Sequence, residues 1–359
     1  MSPSPQTARC LGQLSKLRSD VPVYTSGVRY LIQFPAGATA LAERAVLADL
    51  SHAKIEYGDE SALVFESSTQ LQSAHPVPYA KNVFIVRAQT PRRNALAAGV
   101  SRLATDIPNL RGPRNPPGFR LMYHIDGQLV SCEPRARQAL ERAVASASGL
   151  RLTPRGQCQE FWVIGRRESQ VFYFAQRLRD EDPPTRAKGA LSAELSALLV
   201  AASEPTPSDI FLDPFAGSGA LVQARLRSPA KSVIYSDLEL RTHQTGFPPA
   251  LTRGRKITLL AEDAFELPSI KSGSVDVIVT DPPWGEHDEE IGDYGQFAGR
   301  MATSFVRMLN PKSGRAVVLV SRRNEETLVK ALVAGGLEIY DTTQILVNGH
   351  PATAVRVRV

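Results

Sequence analysis

The sequence predicts an α/β protein, with a doubly wound, mostly parallel sheet in the rear half and a smaller α+β region in front. Three observations carry this expectation. From residue 210 onward, short apolar runs alternate with helical stretches, the pattern of a parallel sheet covered on both faces. A glycine turn, Gly217-Ser218-Gly219, follows the first of these runs and opens a helix, where open α/β sheets bind ligands. The acidic, proline-ended stretch Asp180-Glu181-Asp182-Pro183-Pro184 reads as a linker between the halves. The chain has 359 residues, 43% of them hydrophobic and 22% charged, enough for two or three domains. The expected division is 1–80, 81–182 and 183–359.

In the front half, strands are expected at 30–34 and 61–66 around a helix at 38–50, and 82–87 starts a second strand–helix alternation. The stretch 112–118 carries three prolines and two glycines and reads as a loop. A strand at 119–125, a turn at Asp126-Gly127, a helix at 134–148 ended by Gly149, and strands at 160–166 and 170–177 complete this half. In the rear half, strands are expected at 210–213, 232–236, 256–260, 275–280, 315–321 and 337–341. Helices are expected at 219–227, 294–309 and 324–334. Asn348-Gly349 suits a tight turn between 345–347 and a last strand at 353–359, giving an antiparallel edge.

Charge is uneven. Residues 1–200 hold 25 Lys/Arg against 17 Asp/Glu, and residues 201–359 hold 17 against 19. A basic front half points to a polyanionic partner. Arg92, Arg93, Arg111, Arg114, Arg120, Arg135, Arg137, Arg166 and Arg167 are its candidate phosphate contacts. No apolar run approaches membrane-spanning length. Three scattered cysteines make neither a disulfide framework nor a metal site, and they fit the reducing cytoplasm. The first 19 residues hold three cations and no acid, yet lack the apolar stretch of a secretory signal. The six histidines show no ligand spacing, so no metal is expected. Gly217-Ser218-Gly219 lacks the spacing of a hydrolase elbow.

Four acids fall at successive strand ends. Asp213 opens Asp213-Pro214-Phe215-Ala216-Gly217-Ser218-Gly219, which is neither a dinucleotide fingerprint nor a phosphate loop. Asp237, followed by Leu238, is placed to accept hydrogen bonds from ribose hydroxyls. Asp263, followed by Ala264, could take an adenine amine. Asp281 begins Asp281-Pro282-Pro283-Trp284. An acceptor-only carboxylate, carbonyls held by two prolines and an aromatic plane together suit a flat ring with an exocyclic amine. His287, among Glu286, Asp288, Glu289 and Glu290, reads as a solvated loop beside that site.

These motifs together resemble the class I S-adenosylmethionine-dependent amino-methyltransferases, a Rossmann-like fold. More narrowly, 186–359 is similar to the catalytic domain of THUMP-containing RNA guanine-N2 methyltransferases. That likeness includes Lys188-Gly189-Ala190-Leu191, Gly285 and Val347-Asn348-Gly349-His350. The front half resembles the family's ferredoxin-like plus THUMP arrangement through 137–150 and 161–178. The resemblance implies that Asp213, Phe215, Ala216, Gly217 and Gly219 hold the methionine part of S-adenosylmethionine. It gives Asp237 and Leu238 the ribose, Asp263 and Ala264 the adenine, and Asp281, Pro282, Pro283 and Trp284 the target amine, with Asp281 also bordering the cofactor. The implied substrate is a guanosine in tRNA. The family's usual aromatic after the prolines is Tyr, and Trp284 at that position also fits adenine-N6 methyltransferases of RNA or DNA. The Asn-initiated glutamine-N5 enzymes are less similar. An RNA-binding protein with a methyltransferase fold and no activity is the remaining alternative, and whether a small partner subunit is required stays open.

Overall fold

The computed structural model describes residues 27–71, 77–92, 95–110, 118–153, 158–178, 190–239, 247, 252–285 and 292–359. Two sheets organise the chain. The front one contains β1 (Val28–Gln33), β2 (Lys54–Asp59), β3 (Ala62–Ser67), β4 (Asn82–Pro91), β5 (Gly118–Ile125), β6 (Gln128–Leu129), β7 (Arg151–Leu152), β8 (Gln159–Arg166) and β9 (Val171–Leu178). Its order is β2-β3-β1-β4-β9-β8-β5-β6, with β7 also on β5. Hydrogen bonding therefore runs unbroken across residues 80 and 81, because β4 pairs with β1 on one side and β9 on the other.

Helices α1 (Thr39–Asp49), α2 (Leu96–Thr105) and α3 (Pro134–Ser148) accompany this sheet. α3 has strong local signals. Pro134 opens it, the Glu133 carboxylate accepts from the Arg135 and Ala136 amides, and Gly149 closes it at φ 74°. Asp126 and Gly127, at φ 49° and 87°, form the tight turn between β5 and β6.

The rear sheet holds β10 (Ile210–Asp213), β11 (Ser232–Ser236), β12 (Ile257–Leu260), β13 (Val277–Thr280), β14 (Arg315–Ser321), β15 (Glu338–Val347) and β16 (His350–Arg358). Their order is β12-β11-β10-β13-β14-β16-β15. The first five run parallel, and β16 lies antiparallel to both neighbours. Strand order reverses between β10 and β13, which opens a crevice beyond their carboxyl ends. The helices here are α4 (Ala193–Ala202), α5 (Ala220–Arg225), α6 (Tyr294–Met308) and α7 (Glu325–Ala334). Among the described residues, no helix is long and apolar enough to cross a membrane.

The two halves share one apolar core. Tyr30, Ile32, Leu41 and Val46 from the front pack in the same cluster as Leu195, Leu198, Phe211 and Val317 from the rear. The Leu346 amide donates to the Ala36 carbonyl at 3.0 Å, and Arg44 pairs with Asp341 at 2.7 Å. Gly37, at φ 83°, is required there, since a Cβ would lie 2.8 Å from the Gln344 carbonyl oxygen.

Several expected elements change. β2 was not foreseen because its sequence, Lys-Ile-Glu-Tyr-Gly-Asp, mixes charge with apolar residues at a sheet edge. α4 lacks a polar face because both sides are buried, so it shows no helical periodicity. The segments 337–341 and 345–347 belong to one strand, β15, whose alternating exposure reflects an edge open on one face. α5 is shorter than the expected 219–227. Residues 180–184, most of the loop at 112–118, Lys188, Gly189 and the His287 cluster lie outside the described residues.

Candidate active site

The four acids foreseen at strand ends gather at the crevice. Asp213 closes β10 and is 1% exposed; Thr280 Oγ1 donates to it at 2.8 Å, and the Phe215 amide at 3.3 Å. Asp281 follows β13, and its Oδ1 accepts from the Trp284 indole N–H at 3.0 Å. Burial pushes Asp213 up to about 8, helped by the neighbouring Asp281 and Asp237 charges. Burial likewise pushes Asp281 up to about 7, against the lowering effect of Trp284. Among the described residues no lysine or arginine pairs with Asp213, Asp237 or Asp281.

The glycine turn is held from both sides. Asp237 Oδ2 accepts from the Gly217 amide at 2.8 Å, and the Tyr235 hydroxyl donates to the Gly217 carbonyl at 2.7 Å. Gly217 sits at φ 46°, and a Cβ there would meet nothing within 4 Å, so its surface opens to the crevice. Gly219, at φ 73°, is packed instead, because a Cβ would lie 2.7 Å from the Phe247 ring. Ala216 is buried, and its amide reaches the Ser236 carbonyl. Leu238 is 70% exposed.

Asp263 and Ala264 follow β12. Asp263 Oδ1 accepts from the Phe265 amide at 2.9 Å, and Ala264 is buried. Phe215 lies in an aromatic cluster, 6.0 Å from Phe265 and 5.8 Å from Phe297 between ring centroids. Tyr294 stacks on Phe297, and its buried hydroxyl has no partner among the described residues. Pro282 is buried and Pro283 exposed. Trp284 packs against the main core while Asn324 Nδ2 donates to its carbonyl at 2.6 Å.

Tyr235, Thr280, Asn324 and the cluster of Phe265, Phe297 and Tyr294 escaped sequence reasoning. Thr280 alone had a local signal, as the hydroxyl one residue before Asp281. The others reach the crevice through tertiary packing.

This donor set fits S-adenosylmethionine. Besides its carboxylate, the ligand carries a sulfonium and an ammonium, ribose hydroxyls and an adenine amine, all cations or hydrogen-bond donors. The crevice offers four carboxylates, three of them without a lysine or arginine partner among the described residues, beside the open surface of Gly217.

The front-half arginines are used differently from the expectation. Arg166 is buried on Asp59, Arg120 is bound to Glu160, and Arg92 binds Asp126 at 2.7 Å. Arg166 is thereby out of reach of a phosphate, while Arg92 and Arg120 are paired but still partly exposed. Arg137 pairs with Glu141 at 3.5 Å, whereas Arg167 is 83% exposed along its side chain and Arg135 is exposed. Arg93, Arg111 and Arg114 lie outside the described residues. Among those described, no group of acids, histidines and cysteines could hold a metal ion.

Residues 250–343 match the family model for the RMKL-like methyltransferase domain (UPF0020). No curated protein matches the chain significantly. Among solved structures, TrmN from Thermus thermophilus superposes with a TM-score of 0.71 at 20% identity, over 92% of this chain and 99% of that one. A predicted N6-adenine-specific DNA methylase from Listeria monocytogenes gives 0.61 at 14% identity, over 92% and 96%. SMU.472, which carries a methyltransferase assignment and was solved complexed with SAH, gives 0.58 at 11% identity, over 92% and 98%. The sequence match and the fold together make the rear half a methyltransferase domain of the class I architecture, an S-adenosylmethionine-dependent enzyme class.

Proposed function

We propose that the protein transfers a methyl group from S-adenosylmethionine to an exocyclic base amine of RNA, with guanosine N2 in tRNA as the first choice. The observation that carries this reading is the state of Asp281. One carboxylate oxygen is fixed by the Trp284 indole, which leaves the other for an amine hydrogen. No described hydrogen bond engages the Pro282 carbonyl, a second acceptor beside it.

An exocyclic amine is a weak nucleophile because its lone pair is delocalised into the ring. Asp281 and the Pro282 carbonyl hold the two amine hydrogens and turn the lone pair outward, toward the sulfonium methyl. Orientation of this kind supplies roughly 7–11 kcal/mol in favourable cases. A carboxyl pushed up to about 7 is also suited to receive the proton released after transfer. Asp213, Phe215, Ala216, Gly217 and Gly219 would hold the methionine end, Asp237 and Leu238 the ribose, and Asp263 and Ala264 the adenine. Superposition of TrmN over nearly the whole chain supports a tRNA substrate, and the exposed Arg135 and Arg167 support contact with RNA through the front half.

Adenine N6 is the second reading, favoured by Trp284 in place of Tyr and by the Listeria methylase fold. Incubating the protein with radiolabelled S-adenosylmethionine and, separately, tRNA, rRNA and duplex DNA, then identifying the labelled nucleoside, separates the readings. N2-methylguanosine from tRNA is the expected product. N6-methyladenosine overturns the guanosine assignment, and no label with ligand still bound overturns the activity of the isolated chain.

A further inference from the structure

We infer that Arg300 is a positioning residue for the purine amine of S-adenosylmethionine, setting Asp263 so that the site prefers a 6-amino over a 6-oxo purine. This rests on the cofactor reading above and extends it to a residue outside every motif.

The inference starts from a stripe on α6. Arg300, Ser304 and Arg307 follow helical spacing and face the segment after β12. Ser304 Oγ donates to the Ala264 carbonyl at 2.9 Å. Arg307 donates to the carbonyls of Ile270 at 3.0 Å and Glu266 at 2.7 Å. These two splint the backbone of the turn. Arg300 differs, since it reaches only side chains. Its guanidinium lies 3.9 Å from the centroid of the Phe265 ring, and its Nη2 is 3.7 Å from Asp263 Oδ2.

That geometry divides the carboxylate. Oδ1 is held by the Phe265 amide. Oδ2 faces the cation at a distance beyond an ordinary hydrogen bond, so its lone pairs remain open to another donor. The ring beneath fixes the guanidinium and thereby the rotamer of Asp263. An exocyclic amine donates to such an oxygen, whereas a 6-oxo group presents an acceptor and is repelled. Asp263 is about a third exposed along its side chain, so ligand can reach it.

The test is calorimetric binding of S-adenosylhomocysteine and of its 6-oxo analogue, S-inosylhomocysteine, to the full chain, with thermal melting to confirm folding. Arg300→Ala should weaken S-adenosylhomocysteine binding roughly three- to tenfold, the range of an exposed ion pair plus an exposed cation–π contact. Binding of the 6-oxo analogue should stay unchanged, so discrimination shrinks. Arg300→Lys, which keeps charge but loses the planar stack, should fall between. In an Asp263→Asn background Arg300→Ala should add nothing. Equal weakening of both ligands, or no change in either, overturns the role of Arg300 while leaving the cofactor reading intact. Absence of S-adenosylhomocysteine binding to the wild-type protein overturns both.

Discussion

Carboxylates in the two halves have opposite surroundings. In the front sheet, Glu160 is 1% exposed and receives Arg120, Arg177 and the Trp162 indole. Burial would raise it, yet the Arg177, Arg120 and Trp162 hydrogen bonds outweigh that and hold it at about 2. Asp59 is held below the usual carboxylate range, with Arg166 and Tyr57 again outweighing burial. In the rear crevice Asp213 and Asp281 have no cation partner among the described residues and are pushed up to about 8 and 7. A charge that serves the fold is neutralised within the chain. A carboxylate at the crevice is left without such a partner, and the free protein bears the resulting strain.

The largest test of this contrast is Asp281→Asn. Loss of the proton acceptor should lower turnover about 10²–10⁴-fold, while S-adenosylhomocysteine affinity stays within about twofold, because the amine end is not part of its binding. For the wild type, kcat/KM should rise with pH through about 7 as Asp281 ionises. Turnover within tenfold of wild type would remove Asp281 from the reaction.

Glu160→Gln tests the other side. Arg120 and Arg177, with side chains 35% and 28% exposed, would lose their shared anion. The expected loss is about 2–4 kcal/mol, toward the lower end for breaking a buried pair because water reaches both arginines. A carboxylate held at about 2 contributes stability above its ordinary 4.5 and loses it as pH falls toward 2. The gap between wild type and variant in urea denaturation should therefore close across that window, with activity per folded molecule unchanged. A variant as stable as wild type at pH 7 would erase the distinction between the halves.

Asp213 should show the reverse pH dependence. Its carboxyl is raised from 3.8 to about 8, so the folded protein binds more protons than the unfolded chain between those values. Stability therefore falls as pH rises from about 4 to about 8 and then levels. Asp213→Asn should gain on wild type over this range, by about 1–3 °C in Tm at pH 8.5 if the relief reaches ~1 kcal/mol. A cationic ligand favours the carboxylate, so S-adenosylmethionine binding at pH 7 should release a proton. Calorimetry in buffers of different ionisation enthalpy reads that directly, and no buffer dependence would deny Asp213 contact with the ligand's charge.

The same contrast explains what the sequence could show. The rear acids were legible because each closes an apolar strand, and β10, β11 and β14 lie where their apolar runs put them. The partners that decide the state of those acids were not. Tyr235, Asn324 and Arg300 come from distant positions and meet the site only after packing. In the front half the arginines were visible, but their acids lie up to 107 residues away, as for Arg166 and Asp59. A count of basic residues could not tell a surface cation from an internal one. The joining of front strands into one nine-stranded sheet was hidden for the same reason, since β4 meets β9 across about eighty residues.

The last test concerns Trp284, and it separates two roles of one side chain. The sequence suggested a stacking plane, and the structure adds an indole N–H that holds Asp281 Oδ1 at 3.0 Å. Trp284→Phe keeps an aromatic face and removes that donor. Loss of one hydrogen bond to a charged group should cost roughly tenfold in kcat. Because Trp284 lowers Asp281 against burial, the midpoint of the pH–rate profile should also move to higher pH. A fall in kcat with an unmoved midpoint would mean that the ring stacks on the base and does not govern the carboxylate. A moved midpoint with kcat recovered at high pH would place the indole's contribution in the hydrogen bond, and it would identify Asp281 as the group whose ionisation the profile follows.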